Sequence, residues 1–230
     1  DLGTGKTQFL KTLIHELRWK TREVQGWPAT FLIFDYKKDY QQEDFLEAVG
    51  GVVLEPSAIP LNVLEPEEQT ATAAYQQARK FVDVLEKIYS GIGPKQRSRV
   101  TKLVREWFVE HGEAPLVSDL LQAYEAEAVD SVTSILETFV YTGVFEEDRE
   151  RLKSFEDLMD GSVVVVALDK LGTDSDAKNA LVALFLNLYY EYMLRSTKWP
   201  FEGHDPQLRT INSFLLVDEA HNIMNYEFPI

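Results

Sequence analysis

The sequence lacks cysteine among its 230 residues and also lacks any long uninterrupted apolar run. The first absence excludes disulfide bonds, thiolate metal sites and cysteine nucleophiles. The longest apolar stretch, Ala180 to Leu194, is broken by Asn187 and Glu191 and falls short of the roughly 18 residues that a membrane span needs. We expect a buried helix there and no membrane segment. Without an initiator Met or a signal peptide, the sequence is expected to be a piece of a larger cytoplasmic protein.

Positive charge is also scarce, since Lys+Arg number 23 against 38 Asp+Glu, for a net charge of −15 and a pI near 4.7. The surface as a whole repels polyanions, so any contact with nucleic acid must be local. Hydrophobic residues, by contrast, make up 45% of the chain, which is enough for one sizeable core and a smaller attached unit.

Short apolar runs predict the strands of a sheet. They are continuous rather than alternating, as expected for parallel strands covered on both faces. Leucine and isoleucine at helical spacing from Leu10 to Leu17 predict a helix directly after the glycine-rich start. The predicted buried strands are Phe31–Phe34, Gly51–Leu54, Ser162–Leu168 and Phe214–Val217.

The middle of the chain, from Glu65 to about Arg151, changes to a composition rich in Glu, Gln, Ala, Lys and Arg. It has no apolar run suited to a central strand, and it predicts a helical insertion. We expect an α/β core in two parts, residues 1–65 and a truncated 151–230, with the insertion at 66–150. The predicted helices of the insertion are Gln69–Tyr89, a helix opened by Pro94, Ser118–Ala126 and Ser131–Tyr141.

The opening residues, Asp1 to Thr7, fit the phosphate-loop pattern G-x-x-x-x-G-K-[ST] except for the first glycine, which would precede Asp1. Glycines let the backbone turn its N–H groups towards phosphates, and the following helix adds its positive amino-terminal end. Lys6 would then reach the β- and γ-phosphates of ATP as a catalytic residue, and the Thr7 hydroxyl would coordinate Mg²⁺. The alternative is a glycine-rich turn that caps an ordinary helix, although a lysine there is unfavourable unless an anion is bound. The predicted nucleotide-binding residues are Gly3, Thr4, Gly5, Lys6, Thr7 and Gln8.

An acidic pair, Asp218 and Glu219, follows the last apolar run. At the carboxyl end of a parallel strand these side chains would face the ligand crevice of an α/β sheet. We expect Asp218 to hold Mg²⁺ and Glu219 to be the catalytic general base for the attacking water. Two acids that simply end a strand in solvent are the alternative. His221 could sense the γ-phosphate or hydrogen-bond a neighbouring loop, and it is not included among the catalytic residues.

Besides the phosphate-loop pattern and the acidic pair, several segments resemble the HerA/FtsK superfamily of P-loop ATPases. Residues 35–40, D-Y-K-K-D-Y, resemble its D-x-K-G-[DE]-[FY] pattern, with Lys38 in place of the glycine. Pro60 to Leu64 resembles its P-x-N-P-[FL] turn with Val63 for the second proline, and Val163 to Asp169 resembles its V-x-D-L strand. Within the group, the start of the chain looks most like the HerA-like ATPases of phosphorothioation-dependent DNA restriction systems.

The resemblance implies an α/β fold, namely a RecA-like additional-strand P-loop NTPase with a mainly parallel sheet and an inserted all-α subdomain. It also implies Mg²⁺-dependent ATP hydrolysis that drives translocation or remodelling of double-stranded DNA by a hexameric ring, with a nuclease or another anti-phage defence protein as a partner. A neighbouring subunit would supply an arginine finger, for which Arg97, Arg99 and Arg105 are candidates. These arginines could equally touch DNA phosphates or belong to a solvated helix face.

Two other functions share these motifs. One is a nucleotide-gated assembly switch that recruits a nuclease and turns over slowly. The other is a DEAH-box helicase, although Lys6 and Asp218 lie about two hundred residues apart, farther than in that class. Asp35 and Asp169 both follow predicted strands, where they could position water or a lysine or simply provide strand-end polarity.

Overall fold

The computed structural model describes residues 5–196 and 210–221 of the chain. The helices are α1 (Lys6–Gln25), α2 (Glu43–Val49), α3 (Ala71–Ile88), α4 (Pro94–His111), α5 (Val117–Glu125), α6 (Ser131–Tyr141), α7 (Phe155–Met159) and α8 (Ser175–Arg195). The strands are β1 (Thr30–Asp35), β2 (Gly51–Leu54), β3 (Val163–Ala167) and β4 (Ser213–Val217).

The four strands form one sheet in the order β2-β3-β1-β4, and all three pairs are parallel. The register aligns Phe34 with Val166 on one side and with Val217 on the other, so the strands end at the same edge. The predicted α/β fold with a mainly parallel sheet is therefore confirmed. This edge is where a parallel α/β sheet binds its ligands.

The two central strands and the two outer strands differ in burial. Every residue of β1 and β3 is buried, as their continuous apolar runs predict. The expectation of burial is wrong for β2 and β4, because each pairs on one side only within the described chain. Leu215 of β4 is 41% exposed and Val52 of β2 is 43% exposed.

The described chain divides into two compact units. The first, residues 5–55, 154–172, 188–196 and 210–221, contains the sheet. On one face of the sheet α1 and α2 pack over β1 and β3, with Ile14 and Phe45 in a core that includes Phe31, Ile33 and Val165. This packing fixes the start of α1 relative to the ends of the central strands.

The second unit, residues 56–153 and 173–187, contains α3 to α6. Their bounds lie close to those predicted, and three of the four helices begin at a residue suited to that position. The Thr70 hydroxyl accepts from Ala73 N at 3.2 Å, Pro94 occupies the first position of α4, and the Asp130 carboxylate accepts from Val132 N at 3.0 Å. The predicted domain boundaries at 65/66 and 150/151 stay a prediction.

Candidate functional site

Asp35, the last residue of β1, organises the turn that follows. Its side chain is fully buried, and Oδ1 accepts hydrogen bonds from the backbone N–H groups of Lys37 (3.1 Å) and Asp39 (3.2 Å). Oδ2 accepts from Tyr40 N at 3.0 Å and from Gln41 Nε2 at 3.1 Å. With both oxygens engaged by the turn, Asp35 holds the loop in place rather than positioning water.

The start of α1 is described from Gly5 onwards. Gly5 has φ 72°, in the left-handed region that glycine adopts without strain, and as the N-cap residue it has no side chain to cap the first turn. Lys6 and Gln8 are exposed, while Thr7 is half-buried. Gly3 and Thr4, which were predicted to bind nucleotide, lie outside the described residues. The first-turn N–H groups lie at the positive end of the helix, where an anion can bind.

Asp218 directly follows β4, and its backbone N–H donates to Phe34 O at 3.1 Å. This bond places Asp218 beside Asp35 at the edge where β1 and β4 end. Its Oδ2 is buried and has no hydrogen-bond partner within the described chain. Burial raises the pKa of Asp218, and the negative charges of Glu219, Asp35 and Asp39 raise it further.

Glu219, the next residue, has the opposite electrostatic environment. Its Oε1 accepts a hydrogen bond from Lys37 Nζ, and its Oε2 lies 3.2 Å from His221 Nδ1. The hydrogen bond from Lys37 lowers the pKa of Glu219, as do the positive charges of Lys37, His221 and Lys6. Glu219 also has φ 51°, which is uncommon for a residue with a side chain and is found more often at functional sites. His221 therefore contacts the predicted base itself.

Thr7 joins this group from α1, since its Oγ1 donates to Asp39 Oδ2 at 3.4 Å. We define the sheet-end cluster as Asp35, Lys37, Asp39, Asp218 and Glu219. The structure thus brings together four predicted residues, Lys6, Thr7, Asp218 and Glu219. It adds Lys37 and Asp39, which were not among the predicted site residues although both are letters of the D-x-K-G-[DE]-[FY] pattern.

Gln41 links the end of β3 to this cluster through hydrogen bonds. Its Nε2 donates to Asp35 Oδ2 and, at 2.7 Å, to Oδ1 of Asp169, which follows β3. Lys38 Nζ lies 3.7 Å from Asp169 Oδ2. Lys38 has φ 65°, so the position at which the family pattern has glycine does adopt a glycine-like backbone. Asp169 therefore anchors the loop that carries Lys37.

The residues fit Mg²⁺, although no cluster of three His, Asp or Glu side chains within the described ranges could form a metal cage. Mg²⁺ commonly takes only one or two protein carboxylates and completes its shell with water and substrate phosphates. The unpartnered Asp218 Oδ2 and the Thr7 hydroxyl provide the kind of oxygen ligands that this coordination requires.

Two of the three candidate arginines, Arg97 and Arg99, are engaged within the second unit, and Arg105 is exposed. Arg97 and Arg99 both lie on α4, and the Arg99 guanidinium also lies 5.3 Å from the ring centroid of Tyr124. Their carboxylate partners are Asp83 (3.2 Å) and Glu86 for Arg97, and Glu127 (3.4 Å) and Asp130 (3.5 Å) for Arg99. These pairs favour a structural role over an arginine finger or a DNA contact.

Within the described ranges, no helix is long and apolar enough to cross a membrane. Ala180 to Leu194 lies inside α8, where Leu181 and Phe185 are fully buried. The predicted helix in this stretch is confirmed, but its burial is confined to residues 180–185 and Tyr189, because Tyr190 and Leu194 are each 64% exposed.

Comparison with known proteins defines the fold. No family model matches the sequence, and no curated protein matches it. Among solved structures, the chain is similar to VirB4 of Thermoanaerobacter pseudethanolicus, with a TM-score of 0.59 and 16% sequence identity. The match covers 97% of this chain and 60% of the VirB4 chain, so the sequence spans less than two thirds of its length. At this identity the likeness shows the fold alone, an α/β fold with a parallel sheet.

Proposed function

We propose that this chain is the core of a Mg²⁺-dependent ATPase whose active site is the sheet-end cluster together with the first turn of α1. One observation carries the proposal. Asp218 keeps a buried carboxylate oxygen without a partner beside three other carboxylates, and Thr7 contacts one of them. Such a concentration of negative charge next to the start of a helix calls for a bound cation and its anionic ligand.

The first turn of α1 would bind the phosphates of ATP. Its N–H groups point towards the amino-terminal end of the helix, and the N-cap residue Gly5 has no side chain that could bond them. Lys6 is exposed at the same end and adds a positive charge for the β- and γ-phosphates. Thr7 and Asp218 would hold Mg²⁺, which when bound neutralises the charge that develops on the phosphates.

Glu219 would activate water. Like any glutamate without a raised pKa, it is ionised at neutral pH, as a proton acceptor must be, and the hydrogen bond from Lys37 that lowers its pKa also makes it a weaker base. Its side chain is 25% exposed, so that water can reach it from the edge of the sheet. Asp218, with its raised pKa and orphan oxygen, is better suited to a cation. The two adjacent carboxylates therefore have different roles.

The finer function that we propose is a DNA motor of the HerA/FtsK type, acting as a ring and serving an anti-phage restriction system. The sequence resemblance supports it through the segment at residues 35–40, whose aspartate organises the active-site loop. The structural likeness to VirB4 is consistent with it. Because the chain carries a net charge of −15, DNA must be bound locally, by surfaces of an assembled ring.

The proposal is tested by phosphate release from ATP by the purified full-length protein, with and without double-stranded DNA. We expect hydrolysis that DNA accelerates, and a loss of at least about a hundredfold in both Lys6→Ala and Glu219→Gln. Lys20→Ala is the matched control, because Lys20 is an exposed lysine of α1 that pairs with Glu23 at 3.0 Å. Nucleotide binding should persist in Glu219→Gln and weaken in Lys6→Ala.

Three outcomes would contradict parts of this proposal. A wild-type protein that neither binds nor hydrolyses ATP would overturn it entirely. Hydrolysis without any effect of DNA would replace the motor with the nucleotide-gated switch. A protein that remains monomeric with Mg²⁺ and ATP in analytical ultracentrifugation would remove the ring.

A further inference from the structure

Lys37 is the residue of the sheet-end cluster whose role the proposed ATPase leaves open. Its ammonium donates to Glu219 Oε1, joining the loop after β1 to the turn after β4 across 182 residues of sequence. Glu219 Oε2 lies 3.2 Å from His221 Nδ1. Both oxygens of the predicted base therefore have a cationic or imidazole partner, and these two contacts define the orientation of the carboxylate.

Hydrogen bonds to the ends of the strands hold the backbone that carries Lys37. Its N–H group donates to the fully buried Asp35, and Gln41 closes the same loop by bonding both Asp35 and Asp169. The loop is thus attached to the ends of β1 and β3, the two fully buried strands. A lysine extended from such a loop can hold a partner in one place, because only its own side chain remains to be ordered.

Glu219 needs such support. Its backbone lies outside the sheet ladder, at φ 51°, so the strand does not by itself dictate where the carboxylate points. The Lys37 side chain is 57% exposed, and burial therefore does not require it to be there. An exposed lysine whose ammonium bonds a catalytic carboxylate is poorly explained as a contribution to stability, since such pairs are worth little on a protein surface.

We infer that Lys37 is a positioning residue for Glu219, holding the carboxylate in the orientation from which it activates the attacking water. The inference rests on the proposed ATPase function, and it deepens the assignment of Glu219 as the base. Correct orientation of a catalytic group is worth orders of magnitude in rate, and a misplaced base loses that advantage even though its chemistry is intact.

The test compares steady-state ATP hydrolysis by the full-length protein and its Lys37→Ala variant. We expect kcat to fall by about tenfold or more, while KM for ATP changes by less than about twofold, because the lost interaction serves the reaction rather than ground-state binding. Lys37→Arg keeps a cationic donor and should recover part of kcat. Lys20→Ala removes an equally exposed, ion-paired lysine of the same unit and should leave both constants unchanged.

A double variant identifies the residue through which Lys37 acts. If Lys37 works through Glu219, then Lys37→Ala combined with Glu219→Gln should be no slower than Glu219→Gln alone. Additive losses would overturn the inference, as would an unchanged or increased kcat in Lys37→Ala. A raised KM with unchanged kcat would instead assign Lys37 to phosphate binding and also overturn it. Each of these outcomes leaves the proposed ATPase standing, whereas an inactive wild-type protein would overturn both.

Discussion

The sheet-end cluster and helix α4 both bring charged groups together, and they differ in how those groups are paired. Arg97 and Arg99 of α4 each lie against two carboxylates of their own unit. At the end of the sheet, four carboxylates converge and Asp218 retains a buried oxygen without a partner among the described residues. Buried atoms without a hydrogen-bond partner occur in both regions, since Arg97 Nε and Asp83 Oδ1 have none either, but those two groups are of opposite charge and pair at 3.2 Å. The comparison therefore separates ion pairs within one unit from a carboxylate among like charges, for which we propose a bound cation.

The region that is conspicuous in the sequence is not the one where groups from separate strands meet in the structure. The basic stretch from Lys95 to Arg105 is conspicuous in so acidic a chain, whereas Asp39 is one of 38 acidic residues. Charge along a sequence reports nothing about the partners that folding supplies. Conspicuous composition is therefore weaker support for a site than convergence of groups from separate strands.

The largest expected effect is on stability, when the buried carboxylate of Asp35 is removed. Asp35→Ala removes the acceptor of three backbone N–H groups, those of Lys37, Asp39 and Tyr40. We expect the free energy of unfolding to fall by about 3 kcal/mol or more, because buried donors left without acceptors are costly. Urea denaturation measures the change. Asp35→Asn, which keeps one acceptor oxygen, should lose clearly less, and equal losses would contradict this account of the loop.

The next effect separates activity from stability. In Asp218→Asn we expect ATP hydrolysis to fall at least about a hundredfold, because the carboxylate can no longer hold Mg²⁺. The nucleotide-free protein should nevertheless be more stable. Since the folded state raises the pKa of Asp218, the ionised carboxylate lowers stability at every pH above its unfolded pKa, including pH 7. Thermal denaturation at pH 7 without nucleotide provides the measurement, and a lower midpoint in the variant would contradict the electrostatic interpretation.

A smaller effect is expected on α4, where the charged groups are paired. Arg99→Ala should lower the free energy of unfolding, because its guanidinium contacts two carboxylates and the Tyr124 ring. Hydrolysis per folded molecule should not change. Replacing the more exposed Lys102, which pairs with Glu127 at 3.1 Å, by Ala should lower the free energy of unfolding less than Arg99→Ala does. If Arg99→Ala lost hydrolysis while its stability stayed unchanged, Arg99 would again be a candidate for the arginine finger.

The smallest effect concerns the backbone of the loop itself. Lys38→Gly should raise the free energy of unfolding by up to about 1 kcal/mol, because φ 65° strains a residue with a side chain and not glycine. The exposed pair with Asp169, at 3.7 Å, contributes little against this gain. Chemical denaturation of Lys38→Gly beside Lys38→Ala provides the check. The alanine variant keeps the strained φ, so a gain in both variants would show that the strain is not the cause.

Most of the secondary structure was readable from the sequence because its signals are local. The valine run at β3 predicted a fully buried strand, and α6 spans Ser131–Tyr141 as predicted, after an aspartate whose side chain caps it. The burial of β2 and β4 was predicted wrongly, since an apolar run shows that a strand can be buried and not how many neighbours it has. Strand order decides that, and it depends on contacts between distant segments.

By itself, the sequence determined the chemistry of the site: a lysine and a threonine after a glycine turn, and adjacent carboxylates after an apolar strand. These are short-range patterns, fixed by bond geometry and side-chain type. Only the tertiary structure decided that Asp39 contacts Thr7, that Lys37 bonds Glu219, and that Asp218 is left with an unpaired oxygen. The physical reason is that charge interactions act through space. Parallel pairing of β1 with β4 brings residues 182 positions apart within hydrogen-bonding distance, and no local pattern records that separation.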